Sequence, residues 1–301
     1  MGCLIRGQCS CFCGTKRVLV ESQETVNRIG PSDNRYRVEG IKLLRAITVL
    51  TQNGRSWLMS PVAHYILGRL GSVVIASYPR SGSTWLRTML THLIIEGYDS
   101  NPVEFNRLIP GVTISRIPQI IVNRPQICST HALFNAKIKK AVYIIRDPRR
   151  SIPSLYRYTT SRVGLQIRAP EWAKLYCNGF YGPRWDQHVF SWLGNGRERL
   201  SDTFLLLRYE DMCMQTHESL LMVAKFLGFP HLHKRLVRAI DMSKPAVMRE
   251  WERRDGIDIS DPNSSFYRGG EVDEWQELFP SEIQNMLLDQ MRRAMSLANY
   301  A

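Results

Sequence analysis

The chain has 301 residues, 40 Lys+Arg against 27 Asp+Glu, a formal net charge of +13, and 44% apolar and 22% charged residues. That balance excludes disordered and collagen-like classes and supplies enough apolar side chains for a sizeable core. No stretch approaches the roughly 18 uninterrupted apolar residues of a bilayer span, so no integral membrane segment is expected, and the length fits one or two domains.

The opening MGCLIRGQCSCFC lacks the apolar h-region of a secretory signal, which points to a cytoplasmic, reducing compartment without structural disulfides. Cys3, Cys9, Cys11 and Cys13 match no zinc spacing, and Arg6 stands where a myristoylation motif wants Ser or Thr, so a mobile tail without chemistry is expected there. Much of the positive excess precedes residue 70. It favours anionic partners in general. The cations are scattered singly rather than interleaved with aromatics, so no nucleic-acid partner is expected.

From residue 72 the pattern sharpens. Ser72–Ser77 is a β-branched run bounded by turn signals and predicts a buried strand. Leu86, Met89, Leu90 and Leu93 then recur at helical spacing, with Gly97 as the expected helix end. Residues 100–126 hold four prolines and little periodicity, which predicts an irregular, substrate-facing excursion. Ile127–His131, Ala141–Ile145 and Thr203–Arg208 are further strand candidates. After the last, Leu220, Val223, Ala224 and Leu227 predict a helix ending at Gly228. Alternating strands and helices imply an α/β fold with a mainly parallel, doubly wound sheet.

Between the first strand and its helix lies Tyr78-Pro-Arg-Ser-Gly-Ser-Thr-Trp85, placed where open α/β sheets bind ligands. A helix start offers unpaired N–H groups and the positive end of the dipole, Gly82 removes a Cβ that would block close approach, Ser81, Ser83 and Thr84 add hydroxyls, and Arg80 adds charge. The spacing is not G-x-x-x-x-G-K-[ST], so the loop is P-loop-like without being a nucleotide-triphosphate P-loop. On the octapeptide alone, a helix cap without ligand is an equal alternative.

The octapeptide resembles the 5′-phosphosulfate loop of the sulfotransferases that use 3′-phosphoadenosine-5′-phosphosulfate (PAPS), with Arg80 at the family's lysine and Ser83 at its first threonine. Ser129-Thr130-His131 resembles the Lys-Thr-His segment, and Tyr143–Ser154 resembles the 3′-phosphate motif. Arg208–Met212 resembles the Tyr-Glu-Asp-Met strand end. Phe266–Gly270 with Trp275 resembles the closing Arg-Lys-Gly…Trp segment. The matches run from about 70 to 280 and imply a single P-loop-like sulfotransferase domain at 70–301, its parallel sheet flanked by helices, behind an N-terminal extension at 1–69.

The resemblance implies PAPS as co-substrate, no metal, and transfer of a sulfuryl group to a hydroxyl or amine of a small-molecule acceptor. It casts His131 as general base and Arg80 as the cation neutralising the leaving phosphate, though a guanidinium is a poor general acid. Ser81, Gly82, Ser83 and Thr84 would cradle the 5′-phosphate, Arg146 and Ser154 would grip the 3′-phosphate, and Arg268, Gly269 and Gly270 would close over it. Trp85 and Tyr209 would flank adenine. Ser129 and Gly269 stand where the family has lysines, which predicts weaker support of the sulfonate and of the cofactor. Pro153 predicts a helix that starts late or kinks just before Ser154. His188 is the next candidate base, or a packed residue. The alternatives are an atypical phosphotransferase with Glu210 and Asp211 on Mg²⁺, and a non-catalytic nucleotide-binding module. Loops at 100–126 and 160–185 are expected to shape the acceptor pocket, and the sequence leaves oligomeric state open.

Overall fold

The runs read as strands form one parallel sheet: β1 (Val73–Ser77), β2 (Ile127–Thr130), β3 (Lys140–Ile145) and β4 (Phe204–Arg208), in the order β2-β1-β3-β4. The structure is a computed structural model and describes residues 73–95, 108–109, 127–163, 166–229, 233–255 and 274–300. β1 pairs with β2 on one side and β3 on the other, so the chain reverses direction across the sheet beside β1. In such sheets the ligand crevice opens at the carboxyl ends of the strands next to that reversal.

Because alternate residues of a strand point to opposite faces, the two faces bury different sets. Val74, Ala76, Tyr143 and Ile145 join one core with Trp172, Trp185 and Trp192, while Val73, Ile75, Val142 and Ile144 join a second core with Leu86, Leu90 and Leu220. Both faces are therefore covered, as a parallel sheet requires. The helices among the described residues are α1 (Ser83–Ile94), α2 (Pro148–Val163), α3 (Ala169–Cys177), α4 (Trp185–Val189), α5 (Tyr209–Met214), α6 (Thr216–Leu227), α7 (His233–Asp241), α8 (Pro245–Asp255), α9 (Trp275–Leu278) and α10 (Ser281–Leu297). After Val189, α4 continues as a π-helical stretch, Phe190–Gly196, and a last α turn, Arg197–Leu200.

Three local expectations change. α1 ends at Ile94, short of Gly97, because Ile95 turns to an extended conformation while still donating its N–H to Thr91; Gly97 lies outside the described residues. α2 starts five residues before Pro153 rather than after it. Pro148 occupies the first turn, where its missing donor costs nothing, and the Asp147 carbonyl accepts the N–H groups of Arg150 and Ser151. The span 160–185, expected as loop, holds the end of α2 and all of α3, whose Trp172 and Tyr176 stack at 5.4 Å within the core. The α6 expectation agrees with the structure: Gly228 takes φ 74° and the Phe229 N–H reaches back to Ala224.

Candidate active site

Each strand delivers a different group to the same end of the sheet. β1 runs into the loop Tyr78–Gly82, β2 into His131, β3 into Arg146 and β4 into Tyr209. The parallel register pairs Ala76 with Thr130 and Ile145 with Arg208, so His131 emerges beside Ser77 and Arg146 beside Tyr209.

The loop is tightly turned. Arg80 holds φ 66° and Gly82 φ 95°, and the Ser81 N–H closes a turn onto Tyr78 at 3.2 Å. A left-handed Arg is uncommon and costs roughly 1–3 kcal/mol, a strain found at ligand-binding turns. Gly82 is the N-cap of α1 and supplies no side-chain cap, which leaves the first N–H groups of the helix to whatever sits in front of them. A Cβ on Gly82 would lie 2.5 Å from Cδ2 of Tyr209. The glycine expected to admit an anion thus makes room for a ring of the protein itself. Ser81 and Ser83 are buried, and the backbone carbonyl of Thr84 accepts the Thr88 hydroxyl at 2.9 Å.

Arg146 donates through Nη1 to the Arg80 carbonyl at 2.9 Å, and its guanidinium lies 4.2 Å over the Tyr209 ring. Arg80 donates through Nε to Ser154 Oγ at 3.0 Å and stands 5.3 Å from the Tyr158 ring. The two arginines therefore cross: one holds the loop's backbone, and the loop's own arginine reaches α2. Trp85 meets Tyr209 edge-on at 6.1 Å. Tyr209, read from sequence as a platform for adenine, is also the prop on which Arg146 rests, and burial raises its hydroxyl to a pKa of about 12. Around this loop, Ser81 Oγ, Arg146 Nε and Trp85 Nε1 are among the buried side-chain atoms of the described residues that have no hydrogen-bond partner. Buried polar atoms are seldom left so, and two of the three flank the turn where an anion would sit.

His131 Nδ1 lies 2.7 Å from the Ser77 carbonyl and 3.3 Å from its hydroxyl. A carbonyl only accepts, so Nδ1 carries the proton and the neutral ring keeps its basic lone pair on Nε2. Burial lowers the His131 pKa below 6.5, the Ser77 carbonyl opposes that shift, and the cations Arg87 and Arg80 add to it. His188 is a different case. It is fully buried, its Nδ1 3.1 Å from the Tyr143 hydroxyl and its ring stacked on Tyr143, and burial drives its pKa down to about 3. It is enclosed next to His131, whose charge further opposes its protonation. Ser129 is buried in β2 opposite Ile75.

Glu210 is committed elsewhere: Oε1 accepts the Asp147 N–H at 3.0 Å and Oε2 the Tyr300 hydroxyl at 2.7 Å. That leaves it poorly placed for the Mg²⁺ of the phosphotransferase alternative. Arg268, Gly269 and Gly270 lie outside the described residues, as do the N-terminal cysteines and nearly all of 100–126. Trp275 is buried in α9 against Phe279. Sequence reasoning missed Ser77, Trp185 and Tyr300, whose partners stand 54, 39 and 90 positions away, and no local spacing signals such pairs.

The sulfotransferase domain family matches residues 70–298. The chain belongs to the sulfotransferase domain family. Cytosolic sulfotransferase 4 of Arabidopsis thaliana is 25% identical over 224 residues, 72% of this chain and 71% of the relative. Among solved structures, mouse sulfotransferase SULT7A1 complexed with PAP aligns with a TM-score of 0.57 at 20% identity, covering 81% of this chain and 94% of its own. Retinol dehydratase in complex with androsterone and PAP aligns at 0.59 and 18% identity, covering 80% and 83%. These likenesses establish the sulfotransferase fold, and membership in the family makes the protein a sulfotransferase rather than a kinase. Among the described residues, no helix of this sulfotransferase is long and apolar enough to cross a membrane.

Proposed function

We propose that this sulfotransferase moves a sulfuryl group from PAPS to a hydroxyl or amine of a small-molecule acceptor in the cytoplasm, with residues 70–301 as the catalytic domain and 1–69 as an extension. One observation carries the reading: the loop Tyr78–Gly82, His131, Arg146 and Tyr209 converge at one sheet end, where the buried donors Ser81 Oγ and Arg146 Nε await acceptors. PAP in two structures of the same fold supports it.

The bound donor supplies an electrophilic sulfur and a phosphate leaving group. The N–H groups of Ser83, Thr84 and Trp85, with the Ser81 hydroxyl, receive the 5′-phosphate at the positive end of α1. Arg146 and Ser154 receive the 3′-phosphate, with Arg268, Gly269 and Gly270 closing over it. Arg80 leaves Ser154 to meet the charge that grows on the leaving oxygen, and Trp85 and Tyr209 border the adenine. His131, held by Ser77 as the Nδ1–H tautomer, takes the acceptor's proton on Nε2.

Two results are expected. Ser154→Ala removes the hydrogen-bond partner of Arg80 and one phosphate donor, and the donor KM rises about tenfold, the size of a lost hydrogen bond to a charged group; initial rates against donor concentration measure it. The rate profile follows the lowered pKa of His131: kcat/KM is level through neutrality, where the ring is neutral, and falls only as pH drops below 6.5 and the ring takes a proton. A profile that falls between pH 8 and 7 contradicts His131 as base. The function itself is tested by incubating the protein, a chelator and sulfur-labelled PAPS with a panel of phenols, alcohols and amines. Label transfer supports the reading, and transfer only from ATP with Mg²⁺ contradicts it.

A further inference from the structure

The grip of Arg146 depends on a peptide group that the chain holds at both polar ends. Its carbonyl accepts the Trp185 indole N–H at 3.1 Å, and the following N–H, that of Asp147, donates to Glu210 Oε1 at 3.0 Å. Both holders meet at a third residue. Tyr300 donates its hydroxyl to the other Glu210 oxygen, Oε2, at 2.7 Å, and its ring stands edge-on to Trp185 at 6.3 Å. Tyr300 is itself anchored. The Arg208 guanidinium lies 4.1 Å over its ring and donates to the Ala298 carbonyl, while Arg149 donates to the Tyr300 carbonyl. A buried phenol on a carboxylate is a short, charge-assisted hydrogen bond that allows one carboxylate orientation, and that orientation fixes where Asp147 and Arg146 stand.

We propose that Tyr300 is a positioning residue for the 3′-phosphate subsite, aiming Arg146 through Glu210 and Trp185 without touching the nucleotide. The inference rests on the assignment of Arg146 to the 3′-phosphate given above. The same clamp starts α2, because Asp147 supplies its first acceptor, so Ser154 inherits the alignment. A merely structural Tyr300 would weaken every ligand alike; a positioning one weakens the 3′-phosphate contact alone.

Calorimetry on the full chain with adenosine 3′,5′-bisphosphate and with adenosine 5′-monophosphate separates the two. Tyr300→Phe keeps the ring and deletes the hydroxyl; the bisphosphate is expected to bind about fivefold more weakly while the monophosphate stays within about twofold, because a lost charge-assisted hydrogen bond is transmitted only in part. Glu210→Gln, which keeps an acceptor for Asp147 but loses the charge that orders Tyr300, is expected to act in the same direction. Equal losses for both nucleotides, or no loss for either, overturn the proposal. A wild-type protein that fails to prefer the bisphosphate overturns the assignment of Arg146 instead, whatever Tyr300 does.

Discussion

His131→Ala lowers kcat by about 10²- to 10⁴-fold, the range for loss of a general base, while the affinity for adenosine 3′,5′-bisphosphate stays within a factor of about two. The separation follows from the geometry. His131 is tied to β1 through Ser77, whereas the nucleotide is assigned to the loop, Arg146 and Ser154. No other described histidine can substitute. His188 is fully buried with a pKa of about 3, His92 is buried in the last turn of α1 against Trp251 at 5.6 Å, and His217 and His233 face each other at 3.2 Å between the starts of α6 and α7. Single-turnover rates beside calorimetry measure the effect. A variant that loses binding and rate together shows His131 to be a structural part of the cradle, and a variant that keeps its rate shows that another group takes the proton.

Gly82→Ala abolishes most nucleotide binding. Two penalties meet at this position. A Cβ at φ 95° is strained by about 1–2 kcal/mol, and it would press within 2.5 Å of Tyr209 Cδ2, forcing the ring to move. Tyr209 carries Arg146 over its face at 4.2 Å, so its displacement tilts the guanidinium that the 3′-phosphate needs. Together these amount to about 3 kcal/mol, or roughly a hundredfold in affinity. Because the damage runs through a neighbour, it is not additive: in a Tyr209→Ala background, Gly82→Ala costs only its backbone strain. Titration of the four proteins of that cycle with adenosine 3′,5′-bisphosphate measures the coupling. Equal losses in both backgrounds would show that Gly82 acts on the ligand directly.

The parts of the site written in contiguous residues were legible from sequence, because each sits at the end of an apolar strand whose composition marks it. Val73–Ser77 announced the loop after it, and the β-branched run 141–145 announced Arg146. What pattern could not show is how these ends are held. The tautomer of His131 depends on a carbonyl in another strand, and the place of Arg146 depends on Trp185 in α4, Glu210 in α5 and Tyr300 beyond the end of α10. Pro153 misled for a local reason: the helix-starting pair Asp147-Pro148 outweighs an internal proline that lies little more than a turn later. The glycine of the loop has a second, tertiary reason that no local pattern could show, since its missing side chain also makes room for Tyr209, 127 positions on.

A crystal structure of the protein with adenosine 3′,5′-bisphosphate measures the arrangement itself. The 5′-phosphate is expected on the N–H groups of Ser83–Trp85 and the Ser81 hydroxyl, the 3′-phosphate on Arg146 and Ser154, and His131 Nε2 facing the open side of the 5′-phosphate. A nucleotide seated with Arg146 on its 5′-phosphate, or with His131 directed away from that phosphate, would contradict it.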